Sequence, residues 1–290
     1  MRYKVDEIID GRYKVLGLLG QGGHGIVYKA EDLQLEAHVA IKCLHNDIAS
    51  EPGFKTRMQR EARAMGTLSG TSAVQIFAFN KAEDGVMYIV MEFLPGRDLE
   101  MYLREIEAHG GLLAVSKMFE LIGPIVDTLE QAHSKGIIHR DLKPQNVFVL
   151  DSFARGGVRL LDFGLAKVMK ADPLTQEGMI AGSPSYIAPE VWRARPQDID
   201  HRIDVYSLGA MIFRILAGRP PFDPKQTIDR LLLQVTRGDR PSLHSARPDL
   251  PAAIDTWVQK ALAIQPDDRF KSVRTMWTVL QSIALPPPGG

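Results

Sequence analysis

The sequence predicts an α+β chain, with a small strand-rich part first and a larger, mainly helical part after it. Three observations carry this. The first third holds short runs rich in Val, Ile, Tyr and Phe, punctuated by glycine. After Pro95-Gly96 the apolar residues recur instead at spacings of three and four. With 290 residues and 45% hydrophobic content, the chain is long enough for one large domain or two lobes.

The elements follow in order. Tyr13 to Leu19 and Ile26 to Ala30 read as strands flanking a glycine cluster. His38 to Leu44 and Met87 to Phe93 are two further strand-like runs. One helix interrupts them, because Phe54, Met58, Ala62 and Met65 recur at helical spacing with charges between. The hinge falls near Glu92 to Arg97. Beyond it, helices are expected at Leu99 to Ala108, Ser116 to Ser134, Ile203 to Leu216, Ile228 to Thr236, Ile254 to Leu262 and about Ser272 to Ile283. Pro124 is expected to kink the second of these or shift its start. Val147-Phe148-Val149 and Val158-Arg159-Leu160 read as a small hairpin, with its turn over residues 151–157.

Composition excludes some functions. Lys and Arg total 35, as do Asp and Glu, so net charge is zero and a nucleic-acid partner is not indicated. One cysteine, Cys43, rules out an intrachain disulfide and fits a reducing compartment; its apolar run points to a buried structural thiol. The first residues lack the apolar core of a signal peptide. The most apolar stretch, Gly209 to Gly218, is broken by Arg214 and falls short of the roughly 18 residues that span a bilayer. The expectation is a cytoplasmic domain. The closing Leu285-Pro286-Pro287-Pro288-Gly289-Gly290 reads as the start of a linker, so the domain is expected to belong to a longer protein.

The most informative stretch is Ile138-His139-Arg140-Asp141-Leu142-Lys143-Pro144-Gln145-Asn146. It sets a carboxylate that could accept a proton, an ammonium group that could face a phosphoryl group and an amide carbonyl that could hold a hard cation within six positions. Upstream, Gly20-Gln21-Gly22-Gly23-His24-Gly25 matches G-x-G-x-x-G, a string that dinucleotide-binding folds share. There a helix follows; here Ile26-Val27-Tyr28-Lys29-Ala30 calls for a second strand, and so for a hairpin whose backbone amides cover phosphates. Lys42 stands in Val39-Ala40-Ile41-Lys42, and Glu61 lies 19 positions on, in the one N-terminal helix. Either alone is ordinarily a solvated surface charge; their joint spacing with the glycine cluster argues otherwise. Asp162, in Leu161-Asp162-Phe163-Gly164, lies 21 positions after Asp141. The hairpin between them would set Asn146 and Asp162 side by side as oxygen ligands.

Together these residues resemble a eukaryotic-type Ser/Thr protein kinase, most like the bacterial members of that family. The resemblance implies a bilobal protein kinase fold, with a β-rich N-lobe carrying one regulatory helix and a larger, mainly helical C-lobe. It places an N-terminal extension at residues 1–10, the kinase domain at 11–283 (N-lobe about 11–94, C-lobe about 95–283) and a Pro/Gly-rich linker start at 284–290. It implies transfer of the γ-phosphoryl group of ATP, with Mg2+, to protein Ser/Thr hydroxyls. Asp141, Lys143, Lys42 and Glu61 would be catalytic, and Asn146 and Asp162 would hold metal. Leu19, the loop from Gly20 to Gly25, Val27, Ala40, Met91, Glu92, Leu94 and Phe148 would bind the nucleotide, with Met91 as gatekeeper.

The resemblance also assigns supports. Gly182-Ser183-Pro184-Ser185-Tyr186-Ile187-Ala188-Pro189-Glu190 resembles the substrate-docking segment, with Ser183 where threonine is usual. Asp204 would anchor the catalytic-loop backbone, and Glu190 and Arg269 would pair beneath the activation segment. Met65, Ile76, His139 and Phe163 would form an apolar spine, which makes His139 a core residue rather than a base. Arg140 suggests control by activation-loop phosphorylation, with Thr175 as the candidate phosphosite; the alternative is an ordinary loop threonine. A second copy of the chain is a candidate partner, as a homodimer or for autophosphorylation in trans. Two features depart from the family pattern: His24, where methionine is usual, and Gly70-Thr71-Ser72-Ala73, where a His-Pro-Asn type turn is common. Retention of Lys42, Asp141, Asn146 and Asp162 argues against a pseudokinase, and the docking segment argues against a small-molecule kinase.

Overall fold

The computed structural model describes residues 2–22, 25–45, 56, 65–152, 157–163, 184–193 and 199–285. Most of the helix expected over Phe54 to Met65, with Glu61, lies outside these residues, as do Gly23, His24, Thr175 and Ser183. Among the described residues the chain divides into two units between Pro95 and Gly96.

Among the described residues the first unit holds a six-stranded antiparallel sheet. Its strands are β1 (Ile8–Ile9), β2 (Tyr13–Gly22), β3 (Gly25–Asp32), β4 (Ala37–Leu44), β5 (Ile76–Lys81) and β6 (Met87–Glu92), in spatial order β1-β2-β3-β4-β6-β5. Alternation explains the core. Val39, Ile41 and Cys43 of β4 are buried in one cluster with Tyr13, Val15, Tyr28, Ala30, Tyr88 and Val90. β2 runs past the expected Leu19 because Gly20 and Gln21 stay paired with Val27 and Ile26, and Gly22 with Gly25. Register shifts after Val15 and after Leu18 bend this long strand. β5 was not expected. It is an edge strand whose register slips between Ile76 and Ala78, and it leaves Phe77 exposed, so its apolar pattern is broken. Tyr3 and Ile9 are also buried in the core cluster, so residues from the start of the chain pack into this unit.

The second unit opens with β7 (Gly96–Asp98), which joins β8 (Val147–Leu150) and β9 (Val158–Leu160) in a small antiparallel sheet. Its helices are α1 (Leu99–Ala108), α2 (Val115–Ser134), α3 (Pro189–Trp192), α4 (Arg202–Ala217), α5 (Ile228–Arg237), α6 (Leu243–Ala246), α7 (Ile254–Ala261) and α8 (Val273–Ala284). Asp98 caps α1 by accepting from Met101 N, and Ser272 caps α8 by accepting from Thr275 N. α4 is buried along nearly its whole length and ends at Gly218, in the left-handed conformation that favours glycine.

The six helices expected from spacing are all present. α2 starts at Val115 and runs unbroken through Pro124, so the expected shift of its start does not occur. Burial of Leu121, Ile122, Ile125, Val126 and Leu129 on either side of the proline offsets the missing backbone bond, a cost of about 3 kcal/mol. Arg240 closes the ends of two helices. It donates to the carbonyls of Gln234, Val235 and Gly238 at α5, and to that of Leu262 at α7 (2.5–3.2 Å). Among the described residues no helix is long and apolar enough to cross a membrane.

Candidate active site

The segment between α2 and β8 is held by one carboxylate. Asp204 is buried near the start of α4 and accepts from three directions: His139 N at 2.8 Å, Arg140 N at 2.9 Å and His133 Nε2 at 2.8 Å. Burial acts to raise the Asp204 pKa, but the His133 hydrogen bond and neighbouring donors outweigh it and hold the carboxyl below its ordinary 3.8. Arg140 sits at φ 71°, an uncommon backbone for a non-glycine residue, and the two clamped amides fix it there.

His139 is buried and uses both ring nitrogens. Nε2 donates to Leu161 O at 2.8 Å, and Nδ1 accepts from Asp141 N at 3.3 Å. With both nitrogens engaged, neither is left to act as a base. The ring also packs on Phe163, with centroids 4.7 Å apart. Met65 is buried and Ile76 partly buried, both in the sheet unit.

Three residues meet beyond this anchor. Lys143 Nζ lies 3.0 and 2.7 Å from the two Asp141 carboxylate oxygens. Asn146 Nδ2 donates to Asp141 O at 2.6 Å and to Asp141 Oδ2 at 3.0 Å. Using the amide nitrogen this way turns Asn146 Oδ1 away from Asp141. The β8–β9 hairpin then brings the second carboxylate segment alongside, since Leu161 N donates to Asn146 O at 2.8 Å. Asp162 follows at φ 56°, again a left-handed backbone. Asp141 and Lys143 keep side-chain exposures of 26% and 15%, so the carboxylate is held yet reachable.

In the sheet unit, Lys42 is buried on β4 between Ile41 and Cys43, both of which belong to the core; alternation puts Lys42 on the opposite face. Ala40 shares that face and is buried, while Val27, directly opposite Lys42, is partly buried. Leu19 is 49% exposed, and Met91 and Leu94 are partly buried. Glu92 N donates to Gln75 O at 3.0 Å, and its carboxylate accepts from Gln75 N at 2.9 Å. In the helical unit, Phe148 is partly exposed between the buried Val147 and Val149. Gly25 adopts φ +146°, and a Cβ there would collide with the Cys43 carbonyl; among the described residues, a Cβ at Gly20 or Gly22 would meet nothing within 4 Å. The glycine at 25 thus answers to strand packing, and those at 20 and 22 do not.

A model described as the protein kinase domain matches residues 13–278. The chain belongs to the protein kinase family. Similar curated proteins are bacterial serine/threonine-protein kinases. PksC of Streptomyces coelicolor is 37% identical over 95% of this chain and 49% of its own length. For pkn3 of Myxococcus xanthus the figures are 32%, 96% and 51%, and for PrkC of Bacillus subtilis 33%, 92% and 40%. The chain thus spans about half, or less, of these relatives' lengths. Among solved structures, the kinase domain of Mycobacterium tuberculosis PknI matches with a TM-score of 0.75 and 27% identity, covering 98% of this chain and 100% of that one. The α+β architecture is the bilobal kinase fold, and this protein kinase domain is of the bacterial serine/threonine kind.

One member of the site was not foreseen from sequence. His133 carries the third hydrogen bond to Asp204, and its buried Nδ1 has no hydrogen-bond partner among the described residues. Its signal was present: it lies four positions after the buried Leu129, on the apolar face of an amphipathic helix.

Proposed function

We propose that this kinase domain transfers the γ-phosphoryl group of ATP to serine or threonine hydroxyls of proteins. The observation that carries the reading is the Asp141–Lys143–Asn146 cluster, mounted on a backbone that Asp204 fixes. Asp141 orients the acceptor hydroxyl and takes its proton as the new O–P bond forms and the bond to the ADP oxygen breaks. Lys143 pairs with the Asp141 carboxylate and adjoins the site where phosphoryl charge develops. Lys42 pairs with the nucleotide phosphates, with Glu61 as its partner, and the amides of Gly20 to Gly25 cover them.

Leu19, Val27, Ala40 and Phe148 enclose the adenine, with Met91 at the back. Leu94 and Glu92 bind the base edge. Because Gln75 occupies the Glu92 N–H, that contact falls to the Glu92 carbonyl. Asn146 Oδ1 and Asp162 are a hard-oxygen donor pair that fits Mg2+, which supplies charge neutralisation at the phosphates. Among the described residues no cluster of three or more His, Cys, Asp or Glu could hold a metal, so such an ion would rely on phosphate and water for its other ligands.

Ser183 docks the acceptor, and phosphorylation of Thr175, read by Arg140, orders the loop, with a second copy of the chain as the modifying partner. Use of ATP puts the domain on the cytoplasmic side of any longer protein. The deciding experiment is phosphate transfer from ATP to protein and to small-molecule acceptors by wild type and Asp141→Asn. The expected result is transfer to protein serine and threonine only, with kcat reduced by about 10²–10⁴ in the variant. Equal incorporation by both proteins would overturn the assignment.

A further inference from the structure

The first ten residues do more than precede the domain. Residues 2–10 lace across the sheet unit and are pinned at both ends to the turn between β5 and β6. At one end, Tyr3 Oη donates to Asp84 at 2.9 Å, and the Arg2 side chain approaches the same carboxylate at 3.4 Å. At the other, Asp10 accepts from Tyr88 Oη at 2.5 Å and from Glu83 N at 3.2 Å. Between them, Asp6 N donates to Val15 O, Val15 N donates to Glu7 O, and β1 pairs with β2. The match to the family model begins only at residue 13, so this strap is outside what the family match covers.

The strap reaches the strand that pairs with the one carrying Lys42. The backbone amides of Arg2 and Tyr3 both donate to Tyr28 Oη, at 2.9 and 3.1 Å, and the Tyr3 and Tyr28 rings meet edge to face at 5.9 Å. Tyr28 is 1% exposed and sits directly opposite Ile41 of β4, while its neighbour Val27 sits opposite Lys42. Tyr3 and Cys43 belong to the same buried cluster. The strap therefore closes the core on the face of β4 opposite Lys42.

We propose that Tyr3 is a positioning residue: through Tyr28 and the core around Cys43 it holds β4 in the register that presents Lys42 to the nucleotide phosphates. The Lys42 part rests on the function proposed above; the holding of β4 does not. Tyr3 carries two separable contributions, the ring that fills the core and the hydroxyl that ties it to Asp84.

Cys43 is the sole cysteine of the 290 residues, so its alkylation reports opening of this core alone. The test uses the full chain as wild type, Tyr3→Phe and Tyr3→Ala, with Val5→Ala in the exposed middle of the strap as the control. It reads iodoacetamide labelling of Cys43, hydrogen exchange of the β4 amides, and KM for ATP against kcat. The expected result is labelling and β4 exchange at least about tenfold faster in Tyr3→Ala, a step equal to about 1.4 kcal/mol of opening free energy. KM for ATP rises several-fold with kcat little changed, Tyr3→Phe falls between, and Val5→Ala matches wild type. Labelling and β4 exchange within about twofold of wild type in both Tyr3 variants would overturn the proposal. So would faster labelling with an unchanged KM for ATP. Should Tyr3→Ala not fold, Tyr3→Phe and Asp84→Asn decide by the same readings. A wild type that does not use ATP would sink the proposed function instead, and labelling with exchange would still decide whether the strap holds β4.

Discussion

Arg269 and Glu190 meet through two parallel hydrogen bonds, Nη1 to Oε1 at 2.7 Å and Nη2 to Oε2 at 2.6 Å, with side chains 0% and 3% exposed. Arg269 also donates to the carbonyls of Ala263, Ile264 and Arg202, and its guanidinium lies over the Tyr206 ring. One ion pair thus ties the start of α3 to α4 and to the segment after α7. Removing one partner leaves the other charge buried and uncompensated. Arg269→Met is expected to cost about 3–5 kcal/mol in urea unfolding of the helical unit. A loss under about 1 kcal/mol would show that the charge finds water.

Asp204 offers a kinetic counterpart. Asp204→Ala frees the amides of His139 and Arg140, so Asp141 loses its fixed position. The expected loss is about 10²-fold in kcat, with KM for ATP changed little, measured in steady-state transfer. The pH dependence has a definite sign. The folded pKa of Asp204 lies below its ordinary 3.8, so its contribution to stability is present above that value and disappears as pH falls through the lower folded value. The clamp is expected to hold at about pH 5, as backbone amide shifts of His139 and Arg140 would report.

The glycines of the β2–β3 hairpin separate by cause. Gly25→Ala drives a methyl into the Cys43 carbonyl at φ +146° and is expected to destabilise the sheet unit by about 2–4 kcal/mol. Gly22→Ala meets no described residue and should leave the unfolding free energy within about 0.5 kcal/mol of wild type. If the loop covers phosphates, Gly22→Ala raises KM for ATP even so. Thermal melts paired with KM measurements read both effects.

Cys43 gives an alkaline signature. Burial pushes its thiol up from 9.0 to about 12. A raised folded pKa means the stability it contributes is whole below pH 9 and is lost as pH rises through 12, at about 1.36 kcal/mol per pH unit. The Tyr3, Tyr13 and Tyr88 hydroxyls are also raised by burial and steepen the same fall in any variant that retains them. The difference between wild type and Cys43→Ala isolates the thiol: the variant should show the shallower decline between pH 9 and about 12 in denaturant titrations.

Much of the fold was legible because it is written in short-range periodicity. α4 follows from the apolar run Ile203 to Leu216, and β3 from Ile26 to Ala30, since each element's own residues state its period. The Asp141–Lys143–Asn146 cluster was legible for the same reason: its members are within six positions and need only one turn, Pro144–Asn146, to meet. What stayed hidden depends on distant partners. β5 exists because β6 pairs with it, and its own bulge at Phe77 disguises the alternation. Residues 1–10 read as an extension, since nothing local in Tyr3 or Ile9 announces the core they enter. His133 meets Asp204 across 71 positions, and Pro124 is tolerated only because the helix around it is packed on both sides.

Arg240 has a consequence for how the helical unit comes apart. A helix normally frays from its own end, one turn at a time and independently of its neighbours. Here a single guanidinium satisfies the terminal carbonyls of α5 and α7 together, so neither end can unwind without stranding the other. The two helix ends should behave as one cooperative block in native-state hydrogen exchange, opening and closing as a pair, and Arg240→Leu should split that block in two.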